Sequence, residues 1–557
     1  MAAPNLTLAF TCGLGQALGM VIYIHMSAAT ESAITIDAQP GHSLAQAIWL
    51  SGRVPPLPLC GGLGRCGRCR VRFVSPAPPP LPVEEAYFSP AELAAGWRLA
   101  CRRQVPKDRT TLTLELVPEH LAFPKDQTHE KEVPGTPGIP NAVPLPELVL
   151  AVDLGTTSVY WRALQAGNGV MVAQGHSLNP QCGAGADVMS RLAVARTPEG
   201  CHALARLVQA LLRHILNNLE AQGLGCVTQI CLAANTAMTD IFCEKPVDGL
   251  CVAPYTLTYK GNETVKMPHL PPVFLPPLPA PFVGGDVSAG VAFLLTKALP
   301  RPFVLADMGT NGELALLTCE NQLWLTSVPL GPAMEGIGPE CGQMAGPGVV
   351  TAFTLGPSGL NAVLHPDSLP KAAHTVLGIS ATGYLSLLAI LLRAGLLDGM
   401  GHFVTAPPMP LARRLAQGLA QSKDGSSLRL ALPHGLWLSS ADVEDMLKVK
   451  AAFAMALEAL LSHAGLAASD LAVLCLAGAM GEHVAPDDLI TLGFVPPALG
   501  QRIRAVGNTS LAGACRLALH RKERAHIADL CDHARLLCLV DTPDFQNVYL
   551  RHMRLGA

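Results

Sequence analysis

Two segments of the sequence share one pattern, an apolar strand that ends in Asp-x-Gly-Thr. The first runs from Leu148 to Ser158 (LVLAVDLGTTS) and the second from Phe303 to Leu314 (FVLADMGTNGEL). Each strand delivers an aspartate to a tight turn, so two such turns can clasp a phosphate chain from two sides. Asp153 and Asp307 are then placed to orient magnesium-bound water. One copy alone fits an ordinary hairpin turn equally well, but two copies predict a duplicated nucleotide-binding fold.

A third segment, Val473 to Glu482 (VLCLAGAMGE), reads as a strand followed by a glycine turn. Gly478 and Gly481 would allow close backbone approach to an adenosine, because glycine has no side chain to obstruct it. Alone this is a weak signal. In order with the two phosphate motifs it is strong.

A proline-rich piece from Pro268 to Pro281 leads into Gly284, Gly285 and Asp286. An ordinary loop is the default interpretation. A functional loop is the alternative, because Asp286 precedes a predicted helix and its carboxylate could hold a magnesium-bound water.

The N-terminal part contains three cysteines within ten residues, Cys60, Cys66 and Cys69, with four glycines between them. Such spacing lets three thiolates converge from one loop, and the glycines let backbone amides turn towards cluster sulfurs. Cys101 is the natural fourth ligand. The spacing differs by one residue from that of plant-type 2Fe-2S proteins. The alternatives are a zinc site, which usually needs two short-spaced pairs, and unrelated thiols.

Composition excludes several classes of protein. The chain has 557 residues, of which 50 % are hydrophobic, so it can bury several cores and cannot be wholly disordered. The formal net charge of -3 provides no global attraction to nucleic acid or anionic lipid. The seventeen cysteines are mostly scattered singly, which is typical of reduced thiols in a cytosolic protein. The apolar stretch 372–392 is interrupted by small polar residues and favours a buried helix over a membrane span.

The order of these features predicts the domain organisation. Residues 1–29 are expected to be an uncertain extension, with Met26 as the real start, because the apolar run Leu18 to Ile24 lacks the positive charge of an export signal. A compact domain follows over 30–118, then a proline-rich linker over 119–147. The larger region divides into a middle domain over 148–225, which carries the first phosphate motif, and a C-terminal domain over 226–557.

The arrangement resembles the reductive activators of corrinoid proteins, which join a 2Fe-2S ferredoxin-like domain to an ATPase of the actin, sugar-kinase and heat-shock (ASKHA) superfamily. The resemblance rests on the motifs above and on three further segments, NPQCGAGADVMSRL from Asn179, NTAMTDIF from Asn235 and GISATGYLSLLAILLRAGLLDGMG from Gly378. It implies an α/β and α+β multidomain fold with an N-terminal β-grasp domain, a linker and a duplicated RNase H-like region.

The resemblance also implies a function and a set of partners. The family reduces an inactive Co(II) corrinoid on a partner protein to Co(I), using a 2Fe-2S cluster, ATP and Mg²⁺. A low-potential donor of the ferredoxin or flavodoxin type would supply the electron. A cytoplasmic homodimer is expected, with no nucleic acid or membrane partner.

The residues that match the family's motifs fall into four groups. The cluster ligands are Cys60, Cys66, Cys69 and Cys101. The catalytic acids are Asp153, Asp307 and Glu313; Asp286, assigned to the cofactor site, comes from the loop described above and not from a family motif. The phosphate turns contain Gly155, Thr156, Thr157, Gly309, Thr310, Asn311 and Gly312. The adenosine motif contains Gly478 and Gly481, although Ala479 and Glu482 replace a common glycine and a common polar amide.

Two other functions stay open from the sequence. A redox-responsive nucleotide-binding module could regulate a partner without reducing a corrinoid, and corrinoid-dependent ATP hydrolysis would distinguish it. A small-molecule kinase is the third interpretation, but it would leave the cysteine domain without a role.

Overall fold

The computed structural model describes residues 20–26, 33–116 and 145–556, apart from 58, 65, 66, 75, 86, 108–110, 310, 332, 334, 335, 337, 369–375, 423, 424, 426 and 543. The chain forms two compact units, the first made of residues 1–57 and 62–122 and the second of residues 58–61 and 123–557. Most of the predicted linker 119–147 lies outside the described residues.

The first unit contains a five-stranded mixed sheet with the strand order β2-β1-β5-β3-β4. Its hairpin β1-β2 is antiparallel, while β1 and β5 run parallel. The elements of this unit are β1 (Met20–His25), β2 (Ile34–Ala38), α1 (Leu44–Trp49), β3 (Arg70–Phe73), α2 (Pro82–Glu85), α3 (Pro90–Ala94), β4 (Trp97–Leu99) and β5 (Thr111–Glu115).

Strand β1 corrects the predicted N-terminal boundary. It lies inside the segment assigned to an extension, yet it pairs with β2 on one side and with β5 on the other. Its inward side chains Ile22 and Ile24 are fully buried in the core of the unit. A domain that started at residue 30 would lack this strand, so the predicted boundary at residue 30 is wrong.

Residues 147–295 form the first half of the second unit. Their six-stranded sheet has the order β10-β11-β9-β6-β7-β8. The elements are β6 (Glu147–Leu154), β7 (Ser158–Gln165), β8 (Met171–Leu178), α4 (Val188–Ala195), α5 (Pro198–Ala221), β9 (Cys226–Ala234), α6 (Thr236–Phe242), α7 (Asp248–Cys251), β10 (Glu263–Val265), β11 (Val273–Leu275) and α8 (Gly285–Leu295). The predicted boundary at 225 is wrong, because it would separate β9 from β6, its parallel neighbour in this sheet.

Residues 303–552 form the second half around another six-stranded sheet, of order β22-β21-β12-β13-β14-β23. Its strands are β12 (Phe303–Met308), β13 (Asn311–Leu317), β14 (Leu323–Pro329), β21 (Val473–Ala477), β22 (Ile503–Gly507) and β23 (Arg535–Leu536), and two small sheets contain β15 (Val349–Gly356), β16 (Gly359–Leu364), β17 (Gly378–Ile379), β18 (Leu419–Gln421), β19 (Leu428–Ala431) and β20 (Trp437–Ser439). The helices are α9 (Ala381–Arg393), α10 (Pro410–Ala416), α11 (Ser440–His463), α12 (Gly478–His483), α13 (Pro486–Leu492), α14 (Thr509–Leu519), α15 (Arg521–Asp532) and α16 (Phe545–His552).

The two large sheets share the arrangement that a duplication requires. In each, a central strand (β6 or β12) has a parallel neighbour on one side (β9 or β21). On the other side it continues into an antiparallel meander, β7-β8 or β13-β14. The two halves are therefore structurally equivalent around β6 and β12.

Helices α8 and α14 occupy corresponding places late in each half and cross each other at very short range. A Cβ atom on Gly513 would lie 1.9 Å from the carbonyl oxygen of Ala289, and one on Gly290 would lie 2.9 Å from Thr509 Oγ1. Only glycine permits so close an approach of backbones at Gly513. The crossing joins the two halves next to the ends of β6 and β12.

Helix α9 contains residues 381–392 of the apolar stretch 372–392, whose first four residues lie outside the described part of the chain. It spans 13 residues, which is shorter than the roughly 20 residues that a bilayer span requires, and most of its side chains are buried. Within the described ranges, no helix combines the length and apolarity needed to cross a membrane.

Candidate functional sites

The predicted catalytic aspartates occupy equivalent positions near the ends of the two central strands. Asp153 on β6 lies opposite Ala233 of the parallel neighbour β9, and Asp307 on β12 lies opposite Ala477 of β21. Both carboxylates are half-buried. The duplication therefore places one acid at the corresponding end of each half.

Asp153 is held by two side chains from the beginning of α14. Ser510 Oγ donates to its Oδ1 at 2.7 Å, and Asn508 Nδ2 donates to its Oδ2 at 2.7 Å. Burial raises the pKa of Asp153, while both hydrogen bonds act in the opposite direction because they stabilise the ionised form. Neither Asn508 nor Ser510 was predicted from the sequence, where nothing links them to a strand more than 350 residues earlier.

Three further acids surround the other strand end. Glu313 on β13 lies directly opposite Asp307 in the antiparallel register, and its side chain is buried. Burial raises the pKa of Asp307 to about 7, with the charge of Asp153 as the second cause. Burial also raises the pKa of Asp286 and that of Glu313, and neighbouring carboxylates add to both shifts.

Asp286 lies in the first turn of α8, which begins at Gly285. The N–H of Val287 donates a hydrogen bond of 2.8 Å to Asp286 Oδ1. The charge of Asp307 is the largest electrostatic influence on its pKa. Asp286 of α8, in the first half, thus interacts electrostatically with Asp307 of the second half. In the same way, Ser510 of α14, in the second half, bonds to Asp153 of the first.

The structure therefore brings the four predicted acids into one electrostatically coupled group. Like charges at short range are costly, and a divalent cation offsets that cost directly. Among the described residues, no three His, Cys, Asp or Glu side chains are arranged to hold a metal directly. The group fits Mg²⁺ held largely through water, because Mg²⁺ keeps several of its own waters.

The first phosphate turn is fixed by residues that were not predicted as site residues. Asn179 Nδ2 donates to the carbonyl oxygen of Gly155 at 2.8 Å, and Asn235 Nδ2 donates to Thr156 Oγ1 at 3.1 Å. The fully buried Arg191 donates to the carbonyl oxygen of Thr156. All three positioning residues lie in the segments NPQCGAGADVMSRL and NTAMTDIF, which was the signal available in the sequence.

The second phosphate turn joins β12 to β13. Gly309 N–H donates to the carbonyl oxygen of Asn311 at 3.0 Å and closes the turn. The side chain of Asn311 bonds to Glu313 and lowers the pKa of that carboxyl, against the larger effect of burial. At Gly312 a Cβ would lie 2.9 Å from Leu330 Cδ1. Thr310 lies outside the described residues.

The turn predicted to bind adenosine packs against Asp307 at the end of β12. Gly478 has a φ of 80°, and a Cβ at this position would lie 2.7 Å from Asp307 Oδ1. Gly481 is buried in α12, where a Cβ would lie 3.0 Å from the backbone of Leu476. The third motif is therefore packed directly against an acid of the second.

Residues 62–69 of the cysteine loop lie before β3 in the first unit. Cys69 is buried and Cys101 is half-buried, and Cys101 N–H donates to Cys69 Sγ at 3.4 Å. Ala100 N–H donates to the carbonyl oxygen of Cys69 at 2.8 Å, so the turn that carries Cys101 is bonded to Cys69. Cys60 is half-buried, and Cys66 lies outside the described residues.

Glycines in this loop are required by their neighbours. Gly64 and Gly67 have φ values of 72° and 62°. A Cβ on Gly67 would lie 2.5 Å from the ring of Tyr87, and one on Gly64 would lie 3.1 Å from Arg102 Cδ. An amide that points at a thiolate sulfur, within a loop of left-handed glycines, fits the cradle of an iron-sulfur cluster.

Comparison with protein families gives two adjacent matches. Residues 148–297 match the family model described as the RACo middle region, and residues 301–557 match the C-terminal domain of RACo, the ASKHA domain. The boundary between the two matches follows α8, in agreement with the sheet topology.

Two curated relatives show similarity at low identity. The corrinoid activation enzyme RamQ of Eubacterium limosum is 26 % identical over 426 residues, which cover 73 % of this chain and 70 % of the relative. The [Co(II) methylated amine-specific corrinoid protein] reductase of Methanosarcina barkeri is 26 % identical over 301 residues, half of each chain.

One solved structure has the same fold over nearly the whole chain. It is titled a reductive activator for corrinoid,iron-sulfur protein, and the match has a TM-score of 0.64 at 21 % identity. It covers 96 % of this chain and 98 % of the other.

Proposed function

Because residues 148–557 belong to the RACo family, we propose that the protein is an ATP-dependent reductive activator of a corrinoid protein. In this role it returns an inactive Co(II) corrinoid on a partner to Co(I), and so restores methyl transfer. The relatives named for corrinoid activation and corrinoid protein reduction support this proposal. The alternative of a purely regulatory module receives no such support.

The observation that carries the ATPase part is the group of four acids at the junction of the two halves. Asp153 and Asp307 would hold water on Mg²⁺, and Asp286 and Glu313 would complete the negative environment that binds the cation. The turns at Gly155–Thr157 and Gly309–Gly312 would take the phosphates through backbone amides and hydroxyls. Gly478 and Gly481 would lie against the adenosine.

The cysteine loop would carry the electron. We assign Cys60, Cys66, Cys69 and Cys101 as ligands of a 2Fe-2S cluster, which supplies one-electron transfer when bound. The N–H of Cys101 would stabilise negative charge on the Cys69 sulfur, and the packing of Tyr87 against Gly67 would keep the loop closed to water.

Coupling to ATP answers an energetic need. Moving one electron against 100 mV costs about 2.3 kcal/mol, and a plant-type cluster near -400 mV needs help if the corrinoid couple is lower. ATP can supply this only through differential binding to two states. The crossing of α8 and α14 is where closure of the two halves around nucleotide would be transmitted, because Ser510 of α14 bonds to Asp153 and Asp286 of α8 interacts electrostatically with Asp307.

Anaerobic visible spectroscopy tests the proposal. The protein, a corrinoid protein and a reductant of limiting potential are mixed with and without ATP-Mg, and the Co(I) band is followed. We expect Co(I) to accumulate only with ATP-Mg. Equal accumulation in both samples would overturn the coupling.

A second assay separates activation from regulation. ATP hydrolysis is measured with and without the Co(II) corrinoid protein, and the proposal expects hydrolysis to increase with the partner. The regulatory interpretation expects no change.

The partners complete the proposal. A donor of the ferredoxin or flavodoxin type would supply the electron, and the activator would work as a cytoplasmic homodimer. Light scattering coupled to size-exclusion chromatography checks the dimer, since a mass near 58 kDa instead of twice that value would contradict it.

A further inference from the structure

The first unit contains a buried ionic group beside the predicted cluster ligands. Glu84 on α2 is fully buried and lies between two arginines, Arg98 and Arg103. Arg103 Nε donates to Glu84 Oε1 at 3.1 Å, and its terminal nitrogen bonds to Oε2. Arg98 Nε lies 3.9 Å from Oε2. Burying these charges costs desolvation free energy that can exceed the attraction between them, so a gain in stability does not by itself explain the group.

Two residues that bond to Glu84 lie on either side of Cys101 in the sequence. Leu99 N–H, two residues before the cysteine, donates to Glu84 Oε1 at 3.0 Å. Arg103, two residues after it, donates from its side chain to the same carboxylate. The turn with Cys101 is thus bonded to Glu84 at both ends and to Cys69 in the middle.

The same group holds the segment that covers the cysteine loop. Arg98 Nε donates to the carbonyl oxygen of Pro78 at 2.8 Å, and Arg103 donates to that of Pro79 at 2.7 Å. Val83, next to Glu84, lies 3.4 Å from the position of a Cβ on Gly64. Glu84 and its two arginines therefore connect the segment 78–84 to the turn that carries Cys101.

We propose that Glu84 is a positioning residue for the cluster, which fixes the turn of Cys101 and tunes the reduction potential through its charge. The inference rests on the cluster assignment made above. One electron from the donor reduces the oxidised cluster and makes it more negative, so a nearby anion disfavours reduction and a nearby cation favours it. Glu84 and its two arginines then act in opposite directions on the same couple.

The experiment uses the full chain with its cluster reconstituted. The midpoint potential is measured by redox titration followed by electron paramagnetic resonance of the reduced cluster. We expect Glu84→Gln to shift the potential in the positive direction and to alter the g-values, because a charge and a ligand-turn contact are lost. Arg103→Gln should shift the potential in the negative direction. A merely structural role would not give shifts of opposite sign.

Glu85→Gln is the matched control, because it removes the same charge from the adjacent but exposed residue of α2. If the midpoint potential of Glu84→Gln differs from that of the wild type by no more than that of Glu85→Gln does, the proposal is wrong. If Glu84→Gln does not fold, Arg103→Gln decides, and a positive or absent shift overturns the proposal. A wild-type chain that takes up no cluster would refute the function proposed above instead, so the two failures are distinguishable.

Discussion

Ser510 donates a hydrogen bond of 2.7 Å to Asp153, although 357 positions separate the two residues in the sequence. Together with Asn508, Ser510 opposes the effect of burial on the pKa of this carboxyl. The ionised state of an acid in the first half therefore depends on a helix of the second.

Ser510→Ala should weaken ATP hydrolysis and change its pH dependence. Loss of the hydroxyl raises the pKa of Asp153 further, so the ionised form needed to bind Mg²⁺ appears only at higher pH. A hydrogen bond to a charged group contributes about 1.5 to 3 kcal/mol, which corresponds to a loss of roughly ten- to a hundredfold near neutral pH. The pH profile of hydrolysis measures this. Ser462→Ala, at an exposed position, is the control. If ATP hydrolysis by Ser510→Ala declines on the acid side at the same pH as that of the wild type, the prediction is wrong.

Gly478→Ala should impair nucleotide binding, because the added side chain displaces the Asp307 carboxylate. The added Cβ would lie 2.7 Å from Asp307 Oδ1, and such overpacking costs about 1 to 3 kcal/mol. We expect ATP-Mg affinity, measured by calorimetry, to fall by roughly ten- to a hundredfold.

Gly465→Ala separates this contact from backbone strain. Gly465 has a similar φ of 70°, but nothing lies within 4 Å of its added Cβ. Equal affinities of the two variants would show that the approach to Asp307 has no role.

Cys66→Ser should abolish corrinoid reduction and leave ATP binding intact. The substitution removes one of the four proposed thiolate ligands, while the nucleotide residues belong to the other unit. Visible absorption of the reconstituted protein and ATP binding are measured together. Cys319→Ser, an exposed cysteine outside the loop, should keep both properties. Loss of ATP binding along with the cluster would mean that the two activities are not separable.

Asp240 should make the stability of the protein depend on pH. It is fully buried on α6, and neither carboxylate oxygen has a hydrogen-bond partner among the described residues. Burial raises its pKa to about 7, above the 3.8 of an exposed carboxyl. The native state therefore holds a proton that the unfolded state releases, so this stabilisation is complete below pH 3.8 and is lost as pH rises through 7.

Thermal unfolding at pH 5.5 and pH 8 measures the effect. The whole shift corresponds to roughly 4 kcal/mol as an upper bound, of which about 2 kcal/mol falls between pH 5.5 and pH 8. Asp240→Asn should reduce the difference in melting temperature between the two pH values, and the part that remains comes from other buried carboxyls such as Asp307, whose pKa burial also raises to about 7. Asp248→Asn, at an exposed position, should keep the wild-type difference. A wild-type pH dependence in Asp240→Asn would refute the prediction.

The sequence allowed some of these features to be predicted because they are local. An apolar strand and the turn after it determine where Asp153 and Asp307 lie. The partners of those acids were missed because Ser510 and Asn508 reach the site only through tertiary packing of α14. Glu84 was missed for the same reason, since its environment depends on Arg98 and Arg103 folding back across it.

Pairing between distant strands also explains the wrong boundaries. Strand β1 was assigned to an extension because its partners β2 and β5 come later in the chain. Strand β9 looked like the start of a domain because the long helix α5 separates it from β6. In both cases the sheet is defined by hydrogen bonds between strands that are distant in the sequence, so a local sequence pattern does not predict the pairing.

The crossing of α8 and α14 has an evolutionary consequence. Each half supplies the other with a side chain: Ser510 of the second half bonds to Asp153, and Asp286 of the first half interacts electrostatically with Asp307. Neither half could then be lost, exchanged with a foreign half or inherited alone without an incomplete site. The two halves should therefore be inherited as one unit, although their sheets have equivalent topologies.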